Sequence, residues 1–112
     1  MSEKITKDNP IERSEIMRMV MIIYNEALDA EIMEILTKCA LKNYTKIMGT
    51  FGKGNTSGTH LGDDIWPGRN NVLYVACLAE EAKQLIGYIK EMRKSLGQEG
   101  IKAFILPLEE LT

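Results

Sequence analysis

Three observations predict an α+β fold in the order strand, helix, strand, strand, helix, strand. Two stretches carry apolar residues at helical spacing: Leu28, Ile32, Ile35, Leu36 and Cys39, then Ala82, Leu85, Ile86, Ile89, Met92 and Leu96. Each follows a short run that is apolar on both faces and rich in β-branched residues, as a central strand is. The chain has 112 residues, enough for one domain with a single modest core. Its 45% apolar and 27% charged residues are ordinary globular composition and exclude a disordered or fibrous protein.

Residues 1–17 are charged at nearly every second or third position and bury too little to offset their ordering entropy, so they are expected to form a mobile arm. The domain is expected over 18–112, with its first strand at Arg18–Tyr24. Asn25 is a candidate N-cap for the helix that follows, with acids in its first turn and Lys38 and Lys42 near its end at about Leu41. Tyr44–Phe51 has strand composition, and Asn71–Leu78 is a third strand. Ala79-Glu80-Glu81 opens the second helix. Gly87 interrupts it at a cost of about 1 kcal/mol relative to alanine, which a close approach of helix to sheet would explain. Gly97 and Gly100 end that helix, Ile101–Leu106 is the last strand, and Pro107 is expected to stop it.

Both helices are amphipathic and each follows a strand, so both belong on one face of one sheet. This is the ferredoxin-like βαββαβ pattern: a four-stranded antiparallel sheet, two helices on one face, and a long loop between strands 2 and 3. Val72, Tyr74 and Ala76 alternate with Leu73, Val75 and Cys77, so the strands are apolar on both faces. A monomer would expose one face as a large apolar patch. An oligomer built sheet to sheet is therefore expected.

Fourteen Lys and Arg against sixteen Asp and Glu give a net charge of −2, which excludes the basic field of a nucleic-acid binder. No apolar run reaches the roughly 18 residues of a membrane span, and the opening MSEKITKDNP has no apolar core of a secretory signal. Cys39 and Cys77 sit inside apolar stretches and read as two buried thiols of a reducing compartment. The expected location is the cytoplasm, without nucleic-acid partners or membrane insertion.

The stretch 52–70 is far longer than the roughly two to five residues that join a hairpin. It holds five of the nine glycines, the single histidine and the single tryptophan. Gly49 to Gly54 has the spacing of a phosphate-binding P-loop, but Asn55 stands where its lysine belongs and a strand follows, so that reading fails. His60, Asp63 and Asp64 could hold a divalent cation, or be solvated loop residues. Ser57 or Thr56 beside His60 lacks a rigid orienter, which argues against a hydrolase. Trp66 is either an interface anchor or a plug folding the loop onto the body. Arg69 is expected to face water, with an anion as the alternative. The turn Gly97–Lys102 could cradle a phosphate with its amides and Lys102, or simply cap the helix.

Gly49-Thr50-Phe51-Gly52-Lys53 is similar to the Gly-x-Phe-Gly-Arg segment that opens the interaction loop (T-loop) of PII signal-transduction proteins. Gly97-Gln98-Glu99-Gly100-Ile101-Lys102-Ala103-Phe104 resembles their phosphate-gripping B-loop and the strand it enters. Over about Met19 to Leu108 the chain resembles this superfamily, which also shades into CutA-type proteins. The resemblance implies a trimer with its sheets inside, ATP or ADP in clefts between subunits, and a loop that docks on a transporter or enzyme. It makes Gly52 and Lys53 candidates for nucleotide phosphates at the loop base, and Gly100 and Lys102 candidates on the B-loop side. Trp66 and Arg69 become candidates for the partner.

The chain also departs from the pattern. Glu99-Gly100-Ile101-Lys102 replaces Gly-Asp-Gly-Lys, and Gly54 replaces the glutamine tied to metal-assisted 2-oxoglutarate binding. Pro107-Leu108-Glu109-Glu110 is acidic where the family is basic, and acids there would repel a triphosphate. No tyrosine lies between Gly52 and Asn70 for modification. The expected function is that of a divergent, non-enzymatic PII-like regulator binding a small anionic effector, an adenine nucleotide first among them. The alternative is a CutA-like trimer holding a divalent metal through His60, Asp63 and Asp64.

Overall fold

The computed structural model describes residues 16–52, 69–96 and 100–112. Its elements are β1 (Met17–Asn25), a 3-10 turn (Glu26–Leu28), α1 (Asp29–Lys38), β2 (Thr45–Phe51), β3 (Arg69–Leu78), α2 (Ala79–Leu96) and β4 (Ile101–Pro107). The strands form one sheet in the order β2-β3-β1-β4, every neighbouring pair antiparallel. The predicted βαββαβ order is therefore the observed one.

Alternation along the strands decides what is buried. Val20, Ile22 and Tyr24 of β1 and Leu73, Val75 and Cys77 of β3 point to the helices and are almost fully buried. They close the core with Ile32, Ile35 and Leu36 of α1 and Ala82, Leu85 and Ile89 of α2. On the opposite face lie Met19, Met21 and Ile23, cross-paired with Ala76, Tyr74 and Val72 and, on the β4 side, with Leu106, Phe104 and Lys102. Ile47, Phe104 and Leu106 there are each more than 40% exposed, so the apolar second face is real.

Boundaries moved where a local interaction outweighed periodicity. Asn25 does cap, but it caps the 3-10 turn: its side chain accepts from the Ala27 amide at 2.9 Å. Its own amide is still committed to the sheet, donating to the Gly100 carbonyl at 2.7 Å. The α-helix consequently starts at Asp29. It ends at Lys38 rather than Leu41, because Ala40 adopts φ 58°. The Ala40 amide then bonds the Thr37 carbonyl and the Leu41 amide the Leu36 carbonyl, a Schellman closure that uses alanine where glycine is usual. Met17 pairs with Leu78 and so belongs to β1, not to the arm; residues 1–15 lie outside the described residues. Pro107 does not stop β4 but is its last residue, opposite Arg18. An edge strand tolerates a residue with no amide hydrogen.

Gly87 corrects one expectation. A Cβ there would meet nothing within 4 Å, so no close helix–sheet approach requires the glycine. Gly87→Ala should therefore stabilise the fold by about 1 kcal/mol, read as a higher denaturant midpoint at unchanged slope. A lower midpoint would mean that this exposed position is constrained by something other than the helix.

Cys39 and Cys77 are buried free thiols, as expected. Burial, with Glu81 and Cys39 nearby, pushes the Cys77 thiol up to about 11, which keeps it protonated and unreactive. Among the described residues no helix is long and apolar enough to cross a membrane.

Candidate functional site

One end of the sheet gathers the parts that the sequence singles out. Thr50 of β2 lies opposite Asn70 of β3, Asn70 opposite Asn25 of β1, and the Asn25 amide reaches the Gly100 carbonyl before β4. The mouth of the 52–70 loop and the B-loop-like turn thus share one end of the sheet but sit at its two opposite edges. Three strand intervals separate them, roughly 14 Å at the usual spacing.

The loop mouth is shaped by a bulge. Ile47 pairs with Val72 and Thr50 with Asn70, so Met48 and Gly49 together oppose Asn71. Gly49 adopts φ +70°, a conformation that side-chain-bearing residues rarely take. The buried amide of Asn71 serves this kink: its oxygen accepts from the Gly49 amide at 3.4 Å, and its nitrogen donates to Asp29 Oδ1 at 3.3 Å. Asp29, at the start of α1, also accepts from the Tyr24 hydroxyl at 2.5 Å and pairs with Lys46 Nζ at 2.9 Å. Burial raises the Asp29 carboxyl, but the hydrogen bonds from Tyr24 and Lys46 outweigh it and hold the group below its ordinary value. Burial and the bond to Asp29 push the Tyr24 hydroxyl well above its ordinary value. A charged, fully engaged carboxylate therefore pins β1, β2, β3 and α1 together beneath the loop mouth.

Beyond the bulge, the Thr50 hydroxyl donates to the Asn70 carbonyl at 2.9 Å and closes β2 onto β3. Gly52 follows, exposed, and a Cβ there would come within 3.4 Å of Asn70 Nδ2. Arg69 is the first residue of β3, and its Nε lies 3.3 Å from Glu26 Oε2 in the turn after β1. It is paired with the body of the domain and still exposed to solvent, as expected.

On the β4 edge, Gly100 adopts φ +86° with Leu28 and Asn25 against the space where a Cβ would stand. Lys102 is exposed and pairs with Ile23, which puts it on the apolar face. Ile101, beside it, is buried in the core. Glu109 and Glu110 follow Pro107, which pairs with Arg18 at the far end of the sheet. Within one chain these acids leave β4 roughly 20 Å from Gly100, a strand's length of seven residues. Lys53, His60, Asp63, Asp64 and Trp66 lie outside the described residues.

Two participants escaped the sequence reading: the Tyr24–Asp29–Lys46–Asn71 network and Glu26. Asn71 carried a usable signal. It shares the parity of Leu73, Val75 and Cys77, so an amide at that position had to be buried and needed partners. Nothing in spacing alone could have paired Glu26 with Arg69. Among the described residues no group of three His, Cys, Asp or Glu is placed to hold a metal. The described cations near this end are Arg69 and Lys46, paired with Glu26 and Asp29, and the exposed Lys102.

The sequence matches the family profile of the nitrogen regulatory protein P-II over residues 17–112. That match lends no support to the CutA-like alternative. No curated protein matches. Among solved structures, a PII-like signalling protein of Thermus thermophilus aligns at 19% identity and TM-score 0.58, covering 80% of this chain and 82% of its own. The apo form of CPII, a nitrogen regulatory PII-like protein of Thiomonas intermedia, aligns at 14% identity and TM-score 0.61, covering 80% and 85%. CPII bound to ADP, AMP and bicarbonate aligns at 16% identity and TM-score 0.57, covering 80% and 84%.

Proposed function

The chain belongs to the nitrogen regulatory protein P-II family, and from that premise we propose that it is a non-enzymatic regulator. It assembles as a trimer through its apolar sheet faces, binds an adenine nucleotide in clefts between subunits, and uses the 52–70 loop to engage a partner protein, a transporter or an enzyme. Its effector acts by binding one loop arrangement better than another. The cytoplasm is its proposed location.

The observation that carries this reading is the placement of the loop mouth and the Gly100 turn at one end of the sheet but at opposite edges. One chain holds them too far apart to grip a single phosphate chain. Association of copies brings an edge of one chain toward another chain. A large apolar face that is otherwise exposed supplies the reason to associate. The fold-sharing protein CPII, crystallised with ADP, AMP and bicarbonate, supports the choice of adenine nucleotides as first ligands to test. In this reading Gly52 and Lys53 meet phosphate from the loop side, Gly100 and Lys102 from the other, and Trp66 is the partner's anchor.

Thermal unfolding and calorimetry with ATP, ADP and AMP test the proposal. A nucleotide present at a hundred times its Kd should stabilise the protein by about 2.7 kcal/mol, and Lys102→Ala should weaken its affinity at least tenfold. No shift with any of the three nucleotides, in a sample verified as a trimer by its mass, would remove the nucleotide reading.

A further inference from the structure

Resting on that reading, we propose that Arg69 is an oxyanion-binding residue for which the carboxylate of Glu26, paired with its Nε, competes with the ligand. Both groups stand at the end of the sheet where the loop opens. Glu26 begins the turn after β1, and Arg69 begins β3 opposite Phe51, one residue before the loop's first glycine, Gly52. The pair holds at 3.3 Å and stays partly solvated, with 56% of the arginine and 37% of the glutamate side chain exposed.

Those numbers describe a contact that exists yet is easily exchanged. An ion pair open to water is weak, so a dianionic phosphate or a bicarbonate can replace Glu26 at the guanidinium at little cost. The guanidinium fork also matches the planar or tetrahedral oxygens of such ligands better than a lysine would. Glu26 thus acts as an internal competitor. Its release frees the turn after β1 from the first residue of β3, which is the exit of the loop. Ligand arrival would in this way be felt by the loop through a change of partner at Arg69. The competitor is supplied by the chain itself, so affinity is set by Glu26 without any change in the ligand's own contacts.

Calorimetric titration of the full-length protein with ADP, and separately with bicarbonate and inorganic phosphate, tests this in four forms: wild type, Glu26→Gln, Arg69→Gln and the double variant. Glu26→Gln should tighten binding about two- to fivefold, the range an exposed ion pair allows, and the gain should vanish in the Arg69→Gln background. A response to ADP alone would assign the oxyanion to the nucleotide; a response to bicarbonate or phosphate alone would assign it to the free anion. Equal affinity of wild type and Glu26→Gln would overturn the competitor while leaving the nucleotide reading intact. A gain that persists without Arg69 would overturn it too, because Glu26 would then act only as a nearby negative charge. If no form binds any of the three probes, this inference is overturned, while the nucleotide reading is decided by the ATP, ADP and AMP measurement.

Discussion

Met21→Glu is expected to reduce the proposed trimer to folded monomers. Met21 lies at the centre of the apolar sheet face, between Tyr74 of β3 and Phe104 of β4, and is only half-buried within one chain. A carboxylate is tolerated there while water reaches it. Once copies pack face to face, each would carry its charge into an apolar contact, at several kcal/mol per ion. Every subunit contributes one such charge, so the penalty multiplies while the monomer's own stability changes little. Mass in solution should fall to that of one chain with an unchanged circular dichroism spectrum. An oligomer of unaltered mass would mean that copies meet elsewhere, and the cleft reading would lose its geometry.

Asp29→Ala carries the second large effect. It strips the partner from the Tyr24 hydroxyl and the Asn71 amide, both on side chains that are at most 2% exposed, and from the ammonium of Lys46. Lys46 can turn to solvent, and Asp29 is itself partly exposed, so the ion pair contributes modestly. The two buried groups cannot turn away, and together they should cost about 2–3 kcal/mol. The sign of the pH dependence follows from the depressed carboxyl. Its contribution is fully present above the ordinary carboxyl value of about 3.9 and is lost as pH falls through the lower folded value. The stability gap between wild type and Asp29→Asn should accordingly be full at neutral pH and close below about pH 4. The raised Tyr24 hydroxyl works in the other direction: its contribution holds below about pH 10 and is lost as pH rises beyond. Denaturant midpoints across pH measure both. A gap that is flat down to about pH 2 would show that the Asp29 charge is not what the network uses.

The elements were legible because each rested on a period, and the sheet face because β1 and β3 were apolar at both parities. The losses came where a hydrogen bond, not a pattern, decides. Helix α1 starts at Asp29 because Asn25 keeps its amide in the sheet, and it stops at Lys38 because Ala40 turns left-handed, which no propensity of alanine announces. Gly87 looked like a packing glycine and is not. At the site, Gly52, Gly100 and Lys102 could be named from motifs, but their arrangement at two edges depends on strand order, which spacing alone does not give. The ties that hold the site, Asn71 to Gly49, Tyr24 to Asp29 and Glu26 to Arg69, join residues whose relation exists only once the sheet has formed.

The extra residue at Met48–Gly49 also acts as a parity switch. Ile47 stands on the apolar face with Val72, and two-residue alternation would return Gly49 and Phe51 to that side. The insertion inverts the count: Thr50, paired with Asn70, takes the apolar side, and Phe51 passes to the other with Arg69. Thr50, Phe51 and Gly52 inherit the reversal, so the chain reaches Gly52 half a turn from where an uninterrupted strand would bring it. A chain shortened by one residue at that point would keep Thr50 and Phe51 and present each on the opposite face. The face on which the chain arrives at Gly52 is thus written in a residue count just ahead of it.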